Sequence, residues 1–281
     1  MKKISIIGNG TMAVDIAQVS AQAGIEVVVR GRSDEKLQKA AAKIEKSTSR
    51  LVEKGKMTED DKKSLIGLIK YTTDLKDTAD SDLIIEAISE DFDTKVEMFK
   101  TLDGICKESA IFATNTSTIS ITKLAATINR PDKFIGMHFF NPVTLMKLVE
   151  VIRGAKTSDD THNKIMDMCV AIGKDAVKVN DSPGFIVNKV LIPMINEAIV
   201  VLEQGVASAE DIDKAMKLGA NHPLGPLALS DLIGNDVVLS IMEILQKETG
   251  DAKYAPCALL KKTVADGLLG KKTGKGFFDY S

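Results

Sequence analysis

The chain has 281 residues, enough for about two domains and for burying roughly three quarters of its unfolded surface without a disulfide or metal staple. Hydrophobic residues are 44% and charged residues 27%, a globular balance that argues against a disordered chain or a coiled rod. With 37 basic and 39 acidic side chains, net charge −2, a general nucleic-acid binder is not expected, although a local basic pocket is allowed.

Cys106, Cys169 and Cys257 are widely separated and form no CxxC, so neither a disulfide framework nor a metal site is expected, and a reducing cytoplasm is. The apolar run after Met1 is too short for a secretory signal, and no run of about 18 apolar residues predicts a membrane partner.

Taken in chain order, Lys3–Ile7 predicts a short buried strand and Thr11–Ala23 a helix ended by Gly24. Glu26–Arg30 follows as a strand whose Val27, Val28 and Val29 suit a parallel sheet covered on both faces. A charge-rich helical stretch runs from Asp34 to about Lys70, interrupted at Gly55 and recapped near Thr58. Strands are expected at Leu83–Ala87, Ile111–Thr114, Phe134–Met137 and Leu148–Ile152, then a helix at Met166–Ile172 and a strand at Asp175–Val179. The alternation predicts an α/β fold with a doubly wound, mostly parallel Rossmann-type sheet and a protruding helical hairpin. Turn formers at Asn180–Gly184 place a boundary there: residues 1–183 as a dinucleotide-binding domain and 184–281 as an all-helical domain. Its helices are expected at Phe185–Gln204, Ser208–Lys217, Leu227–Lys247 and Pro256–Asp266.

The turn Gly8-Asn9-Gly10-Thr11-Met12-Ala13 has GxGxxG/A spacing between the first strand and its helix, the context that makes this pattern a dinucleotide fingerprint. Gly8 permits the tight turn. Gly10 lets a pyrophosphate approach amides at a helix N-terminus, and Ala13 keeps helix and strand close. A carboxylate ending the second strand would grip the adenosine ribose of NAD. Here the strand ends Arg30-Gly31-Arg32-Ser33. No carboxylate repels a 2′-phosphate, and two guanidinium groups and a hydroxyl can hold one, so NADP(H) is favoured over NAD(H). Asp34 is read as the cap of the following helix.

His138 is the candidate proton carrier: it follows the short apolar strand Phe134–Met137 at the end where doubly wound sheets place their ligands, and an imidazole takes and returns a proton near neutral pH. Glu150 lies 12 positions on, across a Pro142-bearing turn. A strand, that turn and a return strand would bring it to the ring, orienting and stabilising the imidazolium. His162, in a polar helical start, and His222, in a turn, lack such a setting.

The segments Asn115–Thr122, Met137–Pro142, Leu148–Gly154, Asp181–Asn188, Asn221–Pro226 and Lys272–Tyr280 resemble the L-3-hydroxyacyl-CoA dehydrogenase family over the whole chain. They are most similar to its short, stand-alone bacterial 3-hydroxybutyryl-CoA members. The resemblance implies a His138/Glu150 dyad, with Ser117 and Asn188 bonding the reacting oxygen and Asn141 beside substrate and nicotinamide. It implies cofactor contacts at Glu90, Lys95, Asn115, Ser117 and Lys272, and CoA contacts at Ser47, Lys54 and Ser117, with Arg50 and Lys56 assisting. It further implies acetoacetyl-CoA and (S)-3-hydroxybutyryl-CoA as the substrate pair, and a homodimer through the helical domain. Family members commonly carry Gly where Ala13 stands and a carboxylate where Gly31 stands, and both departures lean toward NADP(H). Two rival functions are weighed: a β-hydroxyacid dehydrogenase acting on a free acid, which ordinarily uses a lysine, and a non-catalytic NADP(H)-binding structural or sensor protein, which needs no proton carrier.

Overall fold

The chain opens on β1 (Lys3–Ile7), α1 (Thr11–Gln22) and β2 (Glu26–Arg30), and then projects a hairpin of two helices, α2 (Asp34–Glu53) and α3 (Glu59–Gly67). β3 (Ile69–Thr72), β4 (Leu83–Glu86), α4 (Phe92–Ile105), β5 (Ile111–Thr114), α5 (Ile121–Ala125), β6 (Phe134–Phe139), β7 (Leu148–Arg153), α6 (Asp159–Ala171) and β8 (Asp175–Asn180) follow. The computed structural model describes residues 1–281 and divides into two units, Met1–Asp181 and Ser182–Ser281.

In the first unit eight strands form one sheet in the order β3-β2-β1-β4-β5-β6-β7-β8. Every neighbouring pair is parallel except β6 with β7. The inner strands read as continuous apolar runs because helices cover both faces; Ile6, Ile7, Leu83, Ile84 and Ile85 are fully buried. β1 lies between β2 and β4, where the winding reverses, so the turn leaving β1 opens onto the crevice in which such sheets bind ligands.

Several boundaries depart from the sequence pattern. The helical stretch ends at Gly67, not near Lys70, and Ile69–Thr72 becomes β3, paired with β2 from Val27↔Ile69 to Arg30↔Thr72. The preceding charged helix masks it, and it is fixed by pairing to a strand about 40 positions earlier. α3 does begin as expected, on a reciprocal cap between Thr58 and Asp61. α2 starts differently: Ser33 holds the capping position and Asp34 is the first helical residue. α6 begins at Asp159, earlier than expected, because the Ser158 hydroxyl accepts from Thr161 N–H at 3.2 Å. β6 continues through Phe139, which places His138 within the strand.

The second unit packs α7 (Val187–Glu203), α8 (Ala209–Gly219), α9 (Pro226–Ile233), α10 (Asn235–Thr249) and α11 (Ala258–Ala265) around Ile195, Ile199, Leu227, Val238, Met242 and Leu260. Leu227–Lys247 is two helices rather than one. Gly234, at φ 106°, takes a conformation closed to other residues, which ends α9 and turns the chain into α10. Buried Asp213 accepts from the Leu227 and Ala228 amides at 2.8 and 2.9 Å, capping α9 from a distance. Buried Asp231 accepts from the Phe277 and Phe278 amides and the Tyr280 hydroxyl, which ties down the C-terminal tail.

Candidate active site

The loop from β1 to α1 is sterically specified. Gly8 has φ 135°, and a Cβ there would lie 2.4 Å from the Ala87 carbonyl oxygen at the end of β4, so only glycine lets the two strand ends pass. Gly10 is the capping residue of α1 and makes no side-chain cap bond. A Cβ there would meet nothing within 4 Å; the space above the helix amides is open. Ala13 is fully buried. Open amides at a helix N-terminus beside a glycine suit a pyrophosphate, so the residues present fit a dinucleotide.

Those residues line a cavity of about 600 Å³, with Gly8, Gly10, Thr11 and Met12 on one side and Arg30, Gly31, Arg32, Lys36 and Lys39 on another; Asn115 also reaches it. Gly31 is packed from behind: a Cβ would stand 2.6 Å from Leu37 Cδ2, and Leu37 is itself buried. The Arg30 Nε is buried with no hydrogen-bond partner, a donor in want of an acceptor. Ser33 is not among the lining residues. Lys36 and Lys39 were missed in the sequence; their signal is i,i+3 spacing at the start of the helix that follows Arg32.

His138 and Glu150 are directly opposed across the antiparallel β6–β7 pair, so their side chains share one face. His138 Nδ1 and Glu150 Oε2 are 2.6 Å apart, with both residues buried. The Phe140 ring tilts against the imidazole at 4.5 Å between centroids. Asn115 links this pair to the cavity: its Oδ1 accepts from the amide of Phe139, the residue after His138, at 2.9 Å. Beyond β6, Asn141 is exposed and precedes Pro142 through a cis peptide bond. The loop it begins is held by the buried Lys174 ammonium, which donates to the Val143 carbonyl and, at 2.8 Å, to the Met146 carbonyl.

A second buried carboxylate, Glu86, ends β4. It accepts from Lys95 Nζ at 2.6 Å, Ile88 N–H at 2.7 Å and Thr114 Oγ1 at 2.6 Å. Lys95 is 1% exposed and also meets Glu90 at 3.3 Å. Glu90 accepts from the Thr116 hydroxyl and from the Ser117 amide at 2.9 Å. Burial pushes the Glu90 carboxyl up, but the Lys95 charge and the Thr116 and Ser117 donors outweigh it and hold it below its ordinary value. Lys95, expected to touch cofactor, is thus enclosed in a network that pins the β5–α5 loop and Ser117, and it does not line the cavity. Sequence spacing cannot show this, because the enclosure comes from Glu86, a residue read only as part of a strand.

Ser47 lies on α2 and Lys54 is the residue that ends it, two turns apart and on one face. In the second unit, Asn188 is in the first turn of α7, and Lys272 pairs with Asp236 at 2.6 Å. His162 is buried in α6, and burial holds its imidazole below its ordinary value.

A switch-point glycine turn, an amide-lined cavity and a histidine–carboxylate pair define a nicotinamide-dependent dehydrogenase domain, here joined to a helical unit. The family profile described as 3-hydroxyacyl-CoA dehydrogenase, NAD binding domain, matches residues 3–182, and that family's C-terminal domain matches residues 184–280. The chain belongs to the 3-hydroxyacyl-CoA dehydrogenase family. It is 51% identical over 280 residues to a probable 3-hydroxybutyryl-CoA dehydrogenase of Bacillus subtilis, covering 100% of this chain and 98% of that protein. Identity is also 51% to the 3-hydroxybutyryl-CoA dehydrogenase of Clostridioides difficile, with 99% of each covered. Among solved structures, (S)-3-hydroxybutyryl-CoA dehydrogenase from Ralstonia eutropha superposes with a TM-score of 0.98 at 50% identity, over 100% of this chain and 99% of that one.

Proposed function

We propose that this oxidoreductase interconverts (S)-3-hydroxybutyryl-CoA and acetoacetyl-CoA, with NADP(H) preferred over NAD(H). The observation that carries the reaction is the 2.6 Å His138–Glu150 pair on the strand that Asn115 ties to the cavity. A nicotinamide dinucleotide held at the Gly8–Met12 turn would supply the hydride acceptor for C3 of the alcohol and the hydride donor for the ketone. With Nδ1 committed to Glu150, His138 exchanges the substrate proton through Nε2. It takes the hydroxyl proton in oxidation and gives it back to the ketone oxygen in reduction. Glu150 fixes the ring's orientation and stabilises the imidazolium. Ser117, whose amide is anchored to Glu90, bonds the reacting oxygen. Asn188 shares that role and Asn141 borders the substrate, both on the resemblance alone; Ser47 and Lys54 receive the CoA.

The cofactor preference is supported by Gly31 standing where a ribose-binding carboxylate would exclude a phosphate, and by the flanking Arg30 and Arg32, which line the same cavity. Three free cysteines fit a cytoplasmic setting. Exposed Val190, Val206, Leu218 and Leu232 on the helical unit support a homodimer through it, which a monomeric mass in light scattering would remove.

The experiment is steady-state reduction of acetoacetyl-CoA with each cofactor, followed at the nicotinamide absorbance, with free acetoacetate as control. Turnover of the thioester with a higher kcat/KM for NADPH is expected. Absence of thioester turnover overturns the reaction, and preference for NADH overturns the cofactor reading alone.

A further inference from the structure

The cations around the cavity are not equivalent. Arg30 ends β2 and Arg32 lies in the connection that follows, whereas Lys36 and Lys39 rise from the first two turns of α2. Lys39 is committed: its ammonium lies 2.6 Å from Glu35 Oε1. Lys36 is exposed and makes no ion pair. Helical side chains lean toward the N-terminus of their helix, which carries Lys36 back over the start of α2 toward Arg30-Gly31-Arg32.

The start of α2 is open as well. Ser33 is extended, at φ −154° and ψ 150°, and makes no side-chain cap bond. The first amide inside the helix ladder is Leu37 N–H, donating to the Ser33 carbonyl. The amides of Asp34, Glu35 and Lys36 therefore have no partner within the helix, and the dipole there favours an anion. Asp34 and Glu35 oppose one, but Lys39 offsets Glu35. A phosphate monoester carries a charge near −2, and the Lys36 ammonium is the uncommitted helical cation able to join the two arginines against it.

We propose that Lys36 is a specificity-determining residue for the phosphate on the adenosine ribose of the cofactor, with Lys39 contributing little because Glu35 already holds it. This rests on the NADP(H) reading above and adds a residue to it. A point charge on a flexible stem complements the planar guanidinium groups by following a rotating phosphate.

The test is a fluorescence titration of the whole protein with NADPH and with NADH, using the native chain, Lys36→Gln, Lys36→Arg and Lys39→Gln. Lys36→Gln is expected to weaken NADPH binding about tenfold, the scale of one charge-assisted hydrogen bond, and to change NADH binding less than about twofold. Lys36→Arg retains the NADPH preference, and Lys39→Gln shifts it less than about threefold. Equal weakening of both cofactors by Lys36→Gln, or no weakening of either, overturns the assignment of Lys36 while leaving the NADP(H) reading intact. A native protein that binds NADH more tightly overturns both. Lys36 is exposed, so circular dichroism melts are expected to coincide, and a folding loss cannot imitate the result.

Discussion

Glu86 and Glu150 are the same residue type on the same sheet, at 0% and 1% exposure, yet their partners give them opposite characters. Glu86 faces a lysine, a threonine hydroxyl and a backbone amide. That arrangement closes every partner in on itself, and its effect is to fix the loop bearing Ser117. Glu150 faces an imidazole, the one partner whose ordinary titration range spans physiological pH. Burial alone therefore does not single out a carboxylate for proton chemistry; the identity of its partner does.

The widest gap between the two regions should come from His138→Gln. We expect kcat to fall about 10⁴-fold, the upper range for removing a general acid–base, with NADPH affinity and melting temperature close to native; turnover within tenfold of native breaks the comparison. Glu150→Gln should cost about 10²–10³-fold, because the ring loses its orienting acceptor and the imidazolium its counter-charge. A kcat within tenfold of native would reduce Glu150 to the role of Glu86.

Lys95→Met tests the other side, since it strands the Glu86 charge in the interior. It should destabilise the protein by about 3–5 kcal/mol, read by chemical denaturation, with kcat per folded molecule reduced far less than in the dyad variants. Adding Glu86→Gln should recover part of the loss; no recovery would show that the two charges are not coupled. The smallest effect expected is an acid one. Asp82 is desolvated, which raises its carboxyl, but Lys107 and the Lys2 and Lys3 amides hold it lower, at about 2, and Glu90 is also held below its ordinary value. Both depressed values stabilise the fold above the ordinary carboxylate range, near pH 4. That contribution is lost as pH falls from about 4 toward 2. Melting temperatures that do not change over this interval would contradict it.

Much of this was legible in the sequence because it is local. β1, its glycine turn and β2 follow from runs of Ile and Val around GxGxxA. The His138–Glu150 pairing follows from a 12-residue separation across a Pro142 turn. What the sequence hid depends on distant partners. Ile69–Thr72 is a strand only because β2 offers an edge, and Lys95 is enclosed only because Glu86 and Glu90 converge on it. Gly234 reads as a tolerated interruption until its positive φ divides two helices. Lys36 sits in a stretch so charged that the cavity side of the helix does not stand out from the solvent side.

The packing behind Gly31 bears on how a dinucleotide preference is inherited. A new aspartate there, with Leu37 Cδ2 2.6 Å from where its Cβ must go, would collide with the core before its carboxyl reached any ribose. A lineage carrying this leucine thus meets a cost in sequence space: the single exchange forces Leu37 to shift, and a smaller residue at position 37 relieves that contact. Installing a carboxylate at position 31 in the laboratory meets the same contact, so Gly31→Asp should be introduced with Leu37→Ala rather than alone.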